Sequence, residues 1–348
     1  MATGTMRAAV TESWGQLAVR QINVPEPGPG QVRIRTRLAG ICGSDVHIFE
    51  GHHPTAKAPI VQGHEFVGEV DAVGPDTHVE ARVGQRVVVE PLISCGTCEA
   101  CRRGHVHVCR RLKLLGIHEH GAFAERFVAP AAKVIAVPDA LDDRAAVLTE
   151  PFAVGVHVCQ RAALDPAGRA LVIGAGPIGL IVAMTAASCG AHVTISEVSN
   201  ERLKLAASFG FQTLDAKAAP VEAAAALTDG DGFEVSFEVA GAEPGLRLAI
   251  EATRVRGTIV QVGFHARPPA ADLFKLSLKE LALVGSRVYT HEDFRRSLRL
   301  LDRLAREPRF NLGRLITEQT GLSGIEPGIR RMIAGQVTGK ILVDPTAE

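Results

Sequence analysis

Four cysteines fall within fifteen residues at the spacing C-x2-C-x2-C-x7-C, as Cys95, Cys98, Cys101 and Cys109 in CGTCEACRRGHVHVC. No other feature constrains the chain as much. Cys-x2-Cys pairs make strained disulfides, whereas four thiolates on a loop this short close a tetrahedron around one Zn2+ and leave no position open. The segment reads as a structural zinc lobe, so any chemistry lies elsewhere.

Composition narrows what that chemistry can be. The 348 residues exceed what one hydrophobic core usually holds, which predicts two domains. The 38 basic residues balance 38 acidic ones, so charge does not steer the chain to nucleic acid or a membrane surface. Arg102, Arg103, Arg110 and Arg111 make too small a patch to anchor a duplex; they solvate the lobe or form a subunit contact. Seven cysteines without a signal peptide predict a reducing compartment, the cytoplasm. The leading MATGT is too short and too polar for a targeting sequence.

The two ends of the chain read as β-rich and the middle as α/β. VRIRTRLAGI from Val32 to Ile41 alternates, Phe66 to Val73 and Arg86 to Glu90 continue in the same vein, and Gly and Pro punctuate them. From about Leu171, short apolar runs (LVI, VTIS, FEVSFEV, TIVQVGF, LALVGS) are separated by helical stretches at Pro177 to Ser188, Asn200 to Phe209 and Pro244 to Arg254. That is the grammar of a doubly wound parallel sheet. The Ala-rich stretch Ala216 to Ala226 reads as a plain helix or loop. An amphipathic helix around Phe294 to Leu304 and the final strand KILVD return to the first domain.

Gly174-Ala175-Gly176-Pro177-Ile178-Gly179 follows the strand LVI and opens a helix, the setting in which G-x-G-x-x-G holds a dinucleotide pyrophosphate at a helix N-terminus. Glu197 ends the next strand. A carboxylate there accepts from both ribose hydroxyls of the adenosine and repels a 2′-phosphate, which favours NAD over NADP. Arg202 either stacks on adenine or partly neutralises Glu197. Val262 with Gly263, and Ser286 with Arg287, lie at strand ends where such a sheet meets its ligand.

A second metal site assembles from residues far apart in sequence: Cys42 in AGICGSDVH, His64 and Glu65 in GHEFVGEVDAVG, and Glu150 in LTEPFAVGVH. Thiolate, imidazole and one carboxylate make three ligands and leave a fourth position open, as catalytic zinc requires. Glu65 and Glu150 compete for the carboxylate place, and the sequence does not choose between them.

Jointly these motifs resemble, from about Met6 to Pro345, the zinc-dependent medium-chain alcohol and polyol dehydrogenases. The G-H-E-x2-G-x5-G signature stands as Gly63, His64, Glu65, Gly68 and Gly74, and the cysteine lobe, the glycine turn and Glu150-Pro151 follow in family order. The resemblance implies an α/β protein with a Rossmann sheet (154–288) inserted in a GroES-like β-rich catalytic domain (1–153, returning at 289–348). It also implies one catalytic and one structural Zn2+, NAD as cofactor, Ser44 and His47 as proton relay, and a homodimer or homotetramer. Within the family the segment LAGICGSDVHIFEGHHPTAKAPIVQGHEF is most similar to the sorbitol and L-gulonate 5-dehydrogenase branch, which implies oxidation of a secondary alcohol on a polyol or aldonate. Threonine 3-dehydrogenases share the Cys42 and Glu150 patterns but carry a histidine where this chain reads Val89-Glu90-Pro91. A non-catalytic relative would have lost Cys42, His64 or the lobe, and none is lost. Only 4% aromatic residues suits a polar substrate, for which His52, His53, His118, His120 and Arg287 are candidate contacts.

Overall fold

The computed structural model describes residues 4–348; the first three, part of the MATGT segment read above, lie outside the described residues. The chain divides into two compact units. One takes residues up to Glu150 together with Thr290–Arg306 and Leu312–Glu348; the other takes Pro151–Tyr289 and Glu307–Asn311. Among the described residues no helix is long and apolar enough to cross a membrane.

The first unit is built around the strand Gln31–Gly40, whose inward positions Val32, Ile34, Thr36 and Leu38 alternate with more exposed ones. It pairs antiparallel with Glu65–Val73, Arg126–Pro130 and Lys340–Val343. The core gathers on this sheet, with Phe66 edge-on to Phe127 at 4.6 Å between ring centres. At one end of the central strand Gly40 pairs with Glu65 on one side and Leu342 on the other. A Cβ at Gly40 would collide with the Glu65 carboxylate, so the glycine opens the gap through which Lys340 reaches Glu65 across the strand.

Among the described residues the second unit holds six parallel strands in the order Gln212–Asp215, His192–Glu197, Arg169–Ile173, Phe233–Glu238, Thr253–Gln261, Ala282–Gly285. This is the doubly wound sheet read from the short apolar runs. Its order reverses between Arg169–Ile173 and Phe233–Glu238, where such sheets open a crevice at the strand ends. The helix Pro177–Ser188 is apolar all round and buried from Gly179 to Ala186.

One local expectation shifts and another resolves. The helix expected over 244–254 spans Glu243–Ala252, because the β-branched Thr253 and Val255 join the next strand and Arg256 turns through a positive φ of 59°. The alanine-rich stretch becomes the helix Pro220–Ala226. Glu307–Asn311 side with the second unit, where Phe310 stacks on Phe211 and the Arg309 guanidinium covers both rings at 5.0 and 5.6 Å.

Candidate active site

Cys42 precedes the short helix Gly43–Phe49, and Asp45 in its first turn reaches back to accept from the Cys42 N–H at 2.8 Å. That bond fixes the thiol against His64 and Glu65, which enter from the start of the strand Glu65–Val73. One ligand atom from each of Cys42, His64 and Glu65 lies within 4.8 Å of the others, and His64 and Glu65 are buried. Ser44 Oγ stands 3.2 Å from His64 Nε2. His64 Nδ1 is buried without a hydrogen-bond partner, and Asp45 Oδ1 lies 3.8 Å away. Sulfur, nitrogen and oxygen donors converging around a buried imidazole fit a zinc ion. Glu150 opens the helix Thr149–Arg161 outside this triad, yet its charge acts on both His64 and Lys340.

The pocket is electronegative. Burial alone pushes the His64 imidazole down, but Asp45, Cys42 and Glu150 outweigh it and hold His64 well above the usual histidine range. Burial likewise presses the Lys340 ammonium down, and Glu65, Cys42 and Glu150 reverse the sign. Asp45 moves the other way, pushed up by its complete burial and only partly relieved by His64. Three carboxyl groups and a thiol thus face one lysine and the His64 imidazole, a setting that suits a divalent cation. Asp45, with Gln62 Nε2 donating to it at 3.3 Å and Thr11 donating to Gln62 at 2.7 Å, was invisible to spacing arguments. So was Lys340, although a lone lysine heading the wholly buried strand Lys340–Val343 is itself a signal.

The cysteine lobe closes as its spacing predicts. Short strands Leu92–Ile93 and Lys113–Leu114 pair at its base. Sulfur separations of 3.5 Å (Cys98–Cys101), 3.9 Å (Cys98–Cys109) and 4.0 Å (Cys95–Cys101) bracket the edge of about 3.8 Å that four Zn–S bonds of ~2.3 Å require. All seven cysteines are free thiols. Backbone N–H groups of Thr97 and Cys98 lower the Cys95 thiol to about 5, into the thiolate form that metal prefers. Arg102 and Arg111 bond to Thr97 and Arg103 pairs with Glu99, so these arginines are engaged within the lobe.

In the second unit the glycine turn leaves the switch-point strand. A Cβ on Gly176 would meet only the Arg202 guanidinium, 3.9 Å away, so the backbone stays open to a phosphate at the N-terminus of the helix Pro177–Ser188. This fits a dinucleotide and places Arg202 beside the turn. Glu197 is buried and braced by three backbone donors: Ala175 at 2.7 Å, Val198 at 2.8 Å and Ser199 at 3.0 Å. A carboxylate has about four acceptor sites, so Glu197 keeps about one for a ribose rather than the two expected. Val262 and Gly263 N–H groups donate to the Glu238 carbonyl, and Ser286 N–H to that of Gln261, all at carboxyl strand ends. Glu238, fully buried and bonded by Gln261 and Gly241, is a further carboxylate at this edge that no motif announced.

The candidate substrate contacts separate. His53, His118 and His120 each accept a backbone N–H at Nδ1, from Ala56, Leu114 and Val61 at 3.1 Å, which puts their proton on Nε2. Burial, helped by His118, lowers His53 and keeps it neutral. His118 uses Nε2 on Thr55, whereas His52 and Arg287 are exposed.

Residues 28–139 match the alcohol dehydrogenase GroES-like domain, and residues 177–303 match the zinc-binding dehydrogenase family. A sorbitol dehydrogenase from Halalkalibacterium halodurans is 35% identical over 95% of this chain and 96% of its own. An L-threonine 3-dehydrogenase from Sinorhizobium medicae is also 35% identical, over 98% and 99%. Among solved structures, a zinc-binding dehydrogenase from Sinorhizobium meliloti bound to NADP superposes with a TM-score of 0.90 at 28% identity, covering 99% of this chain and 100% of that one. An alcohol dehydrogenase from Escherichia coli complexed with NADH gives 0.89 at 32%, covering 98% and 99%. With both family models in chain order and relatives matched nearly end to end, this chain belongs to the zinc-dependent medium-chain alcohol and polyol dehydrogenases, a family of oxidoreductases.

Proposed function

We propose that this protein oxidises a secondary hydroxyl of a polyol or sugar acid to the ketone, with NAD as hydride acceptor. The observation that carries this reading is the Cys42, His64 and Glu65 donor triad with Ser44 Oγ against its histidine. Cys42, His64 and either Glu65 or Glu150 hold the catalytic ion; Cys95, Cys98, Cys101 and Cys109 hold the structural one. A zinc ion held in the first site would lower the pKa of a substrate hydroxyl toward neutrality, and a dinucleotide held at the glycine turn would supply the hydride acceptor. Ser44 accepts the hydroxyl proton, and His47, one turn along the same helix and exposed, passes it to solvent. Nε2–H donors on His53 and His120 suit a polyhydroxy substrate better than an apolar one. NADH production against aldonates, hexitols, pentitols and threonine tests the reading; threonine belongs in the panel because of the relative above. Turnover on simple primary alcohols alone would sink it.

Ser44→Ala should lower kcat by about a hundredfold and leave NAD affinity unchanged; an equal loss of NAD binding, read by fluorescence titration, removes Ser44 from the relay. Glu197→Ala should weaken NAD by roughly ten- to a hundredfold and raise the NADP to NAD preference, since it removes a charge and releases the Ala175 N–H in the turn. An unchanged ratio of kcat/KM values shows that the ribose is read elsewhere.

The second unit also supports a homo-oligomer. The strand Ala282–Gly285 ends the six-stranded sheet, and Phe264, Leu273, Phe274 and Leu278 are exposed, Phe264 at 87%. Leu283→Glu, on that edge strand, should shift sedimentation to the monomer, and an unchanged sedimentation coefficient rejects this face. Seven unpaired thiols suit the cytoplasm.

A further inference from the structure

The helix Gly43–Phe49 ends in a way that its role in the proton relay does not explain. Glu50 caps it, Gly51 turns the chain with φ +76°, Gly51 N–H donates to the Ile48 carbonyl at 2.9 Å, and His52 N–H donates to the His47 carbonyl at 2.8 Å. This pair of bonds is the Schellman motif, which brings the side chain three positions before the cap region's turn against the one just after it. That contact is usually apolar. Here the two side chains are His47 and His52, with Glu50 between them. His52 Nδ1 lies 3.6 Å from Glu50 Oε2, and one ligand atom from each of His47, Glu50 and His52 falls within 4.8 Å of the others. Gly51 packs closely on Trp14, since a Cβ there would stand 2.8 Å from the indole.

We propose that His47, Glu50 and His52 form a third metal site, separate from the two zinc sites, which takes a borderline divalent transition-metal ion and inhibits the enzyme when filled. Two imidazoles and one carboxylate are the donor set for Zn2+, Ni2+ or Co2+, whereas Mg2+ and Ca2+ demand more oxygen ligands. All three side chains are exposed, so the ion enters from solvent and completes its shell with water. The inhibitory effect rests on the reading of His47 as the last carrier in the proton relay: a metal–nitrogen bond uses the imidazole lone pair that would take the proton. Binding itself does not rest on that reading.

The test uses tag-free holoenzyme with both zinc ions retained and Ni2+ as the probe. Calorimetry should find one Ni2+ site per chain, and His52→Ala and Glu50→Gln should each weaken it by roughly tenfold or more. Glu50→Gln should keep wild-type turnover in the absence of added metal, and the Ni2+ concentration that halves its turnover should rise in step with the binding constant. Ni2+ binding or inhibition identical in wild type and both variants overturns the site. Binding that is lost in the variants but never inhibits wild type overturns the link to His47. If no substrate in the panel yields NADH, the dehydrogenase reading has failed, and calorimetry still decides whether the site exists.

Discussion

Cys42→Ala should leave a folded protein that binds NAD, carries one zinc ion fewer per chain and turns over at least about a thousandfold more slowly. The size follows from the chemistry. Lewis-acid stabilisation of a developing alkoxide is worth several kcal/mol, and each ~1.4 kcal/mol is a factor of ten in rate. The fold should survive because the thiol is only half-buried, Asp45 still caps the helix through the position-42 N–H, and the cysteine lobe keeps its own four sulfurs. Metal analysis separates the two sites: a Cys101→Ser variant should lose the other ion and stability first. If Cys42→Ala keeps its full zinc content and its rate, the triad is not the catalytic centre.

Lys340→Met should destabilise the first unit by about 3–5 kcal/mol, the cost of leaving one member of a buried ion pair alone. Lys340 and Glu65 have side chains only 4% and 1% exposed, and each is the other's direct partner. The loss should be greatest in zinc-stripped protein, where neither lysine nor metal faces Glu65. Adding Glu65→Gln should recover most of it, since the penalty comes from an unpaired charge rather than from lost volume. Urea denaturation of the two single variants and the double variant measures the coupling; additive losses would show that the pair is not what holds Lys340 in the core. The same series bears on which carboxylate serves the metal, because freeing Glu65 from Lys340 favours its turning toward the ion.

Sequence periodicity was sufficient for the fold where the pattern had a single physical cause. The strands of the parallel sheet are short β-branched runs between helices with Gly, Pro or Ser starts, and the helix Pro177–Ser188 was legible to the residue. The cysteine lobe was equally plain because four thiolates at that spacing have one good use. What spacing could not reveal is how distant segments complete a site. Lys340 reaches Glu65 only because Gly40 lacks a Cβ, a fact about three strands side by side. Asp45 belongs to no motif, and its burial against His64 follows from packing. Glu197 was read correctly as a strand-end carboxylate, but the three backbone groups that consume most of its acceptor capacity belong to turns whose geometry no motif specifies.

The shared strand edge at Gly40 also sets a timetable for biosynthesis. Glu65 is made 275 positions before Lys340, and every strand of the second unit is translated in between. At ribosomal speeds of roughly 5–20 residues per second, that interval is on the order of tens of seconds. Throughout it the Glu65 carboxylate has no lysine to balance it, and the strand Gln31–Gly40 shows an unpaired edge where Lys340–Val343 will dock. The second unit can be finished while the unit bearing Cys42, His64 and Glu65 is still waiting for a strand, so the nascent chain is exposed to misassembly on the side where that donor triad lies.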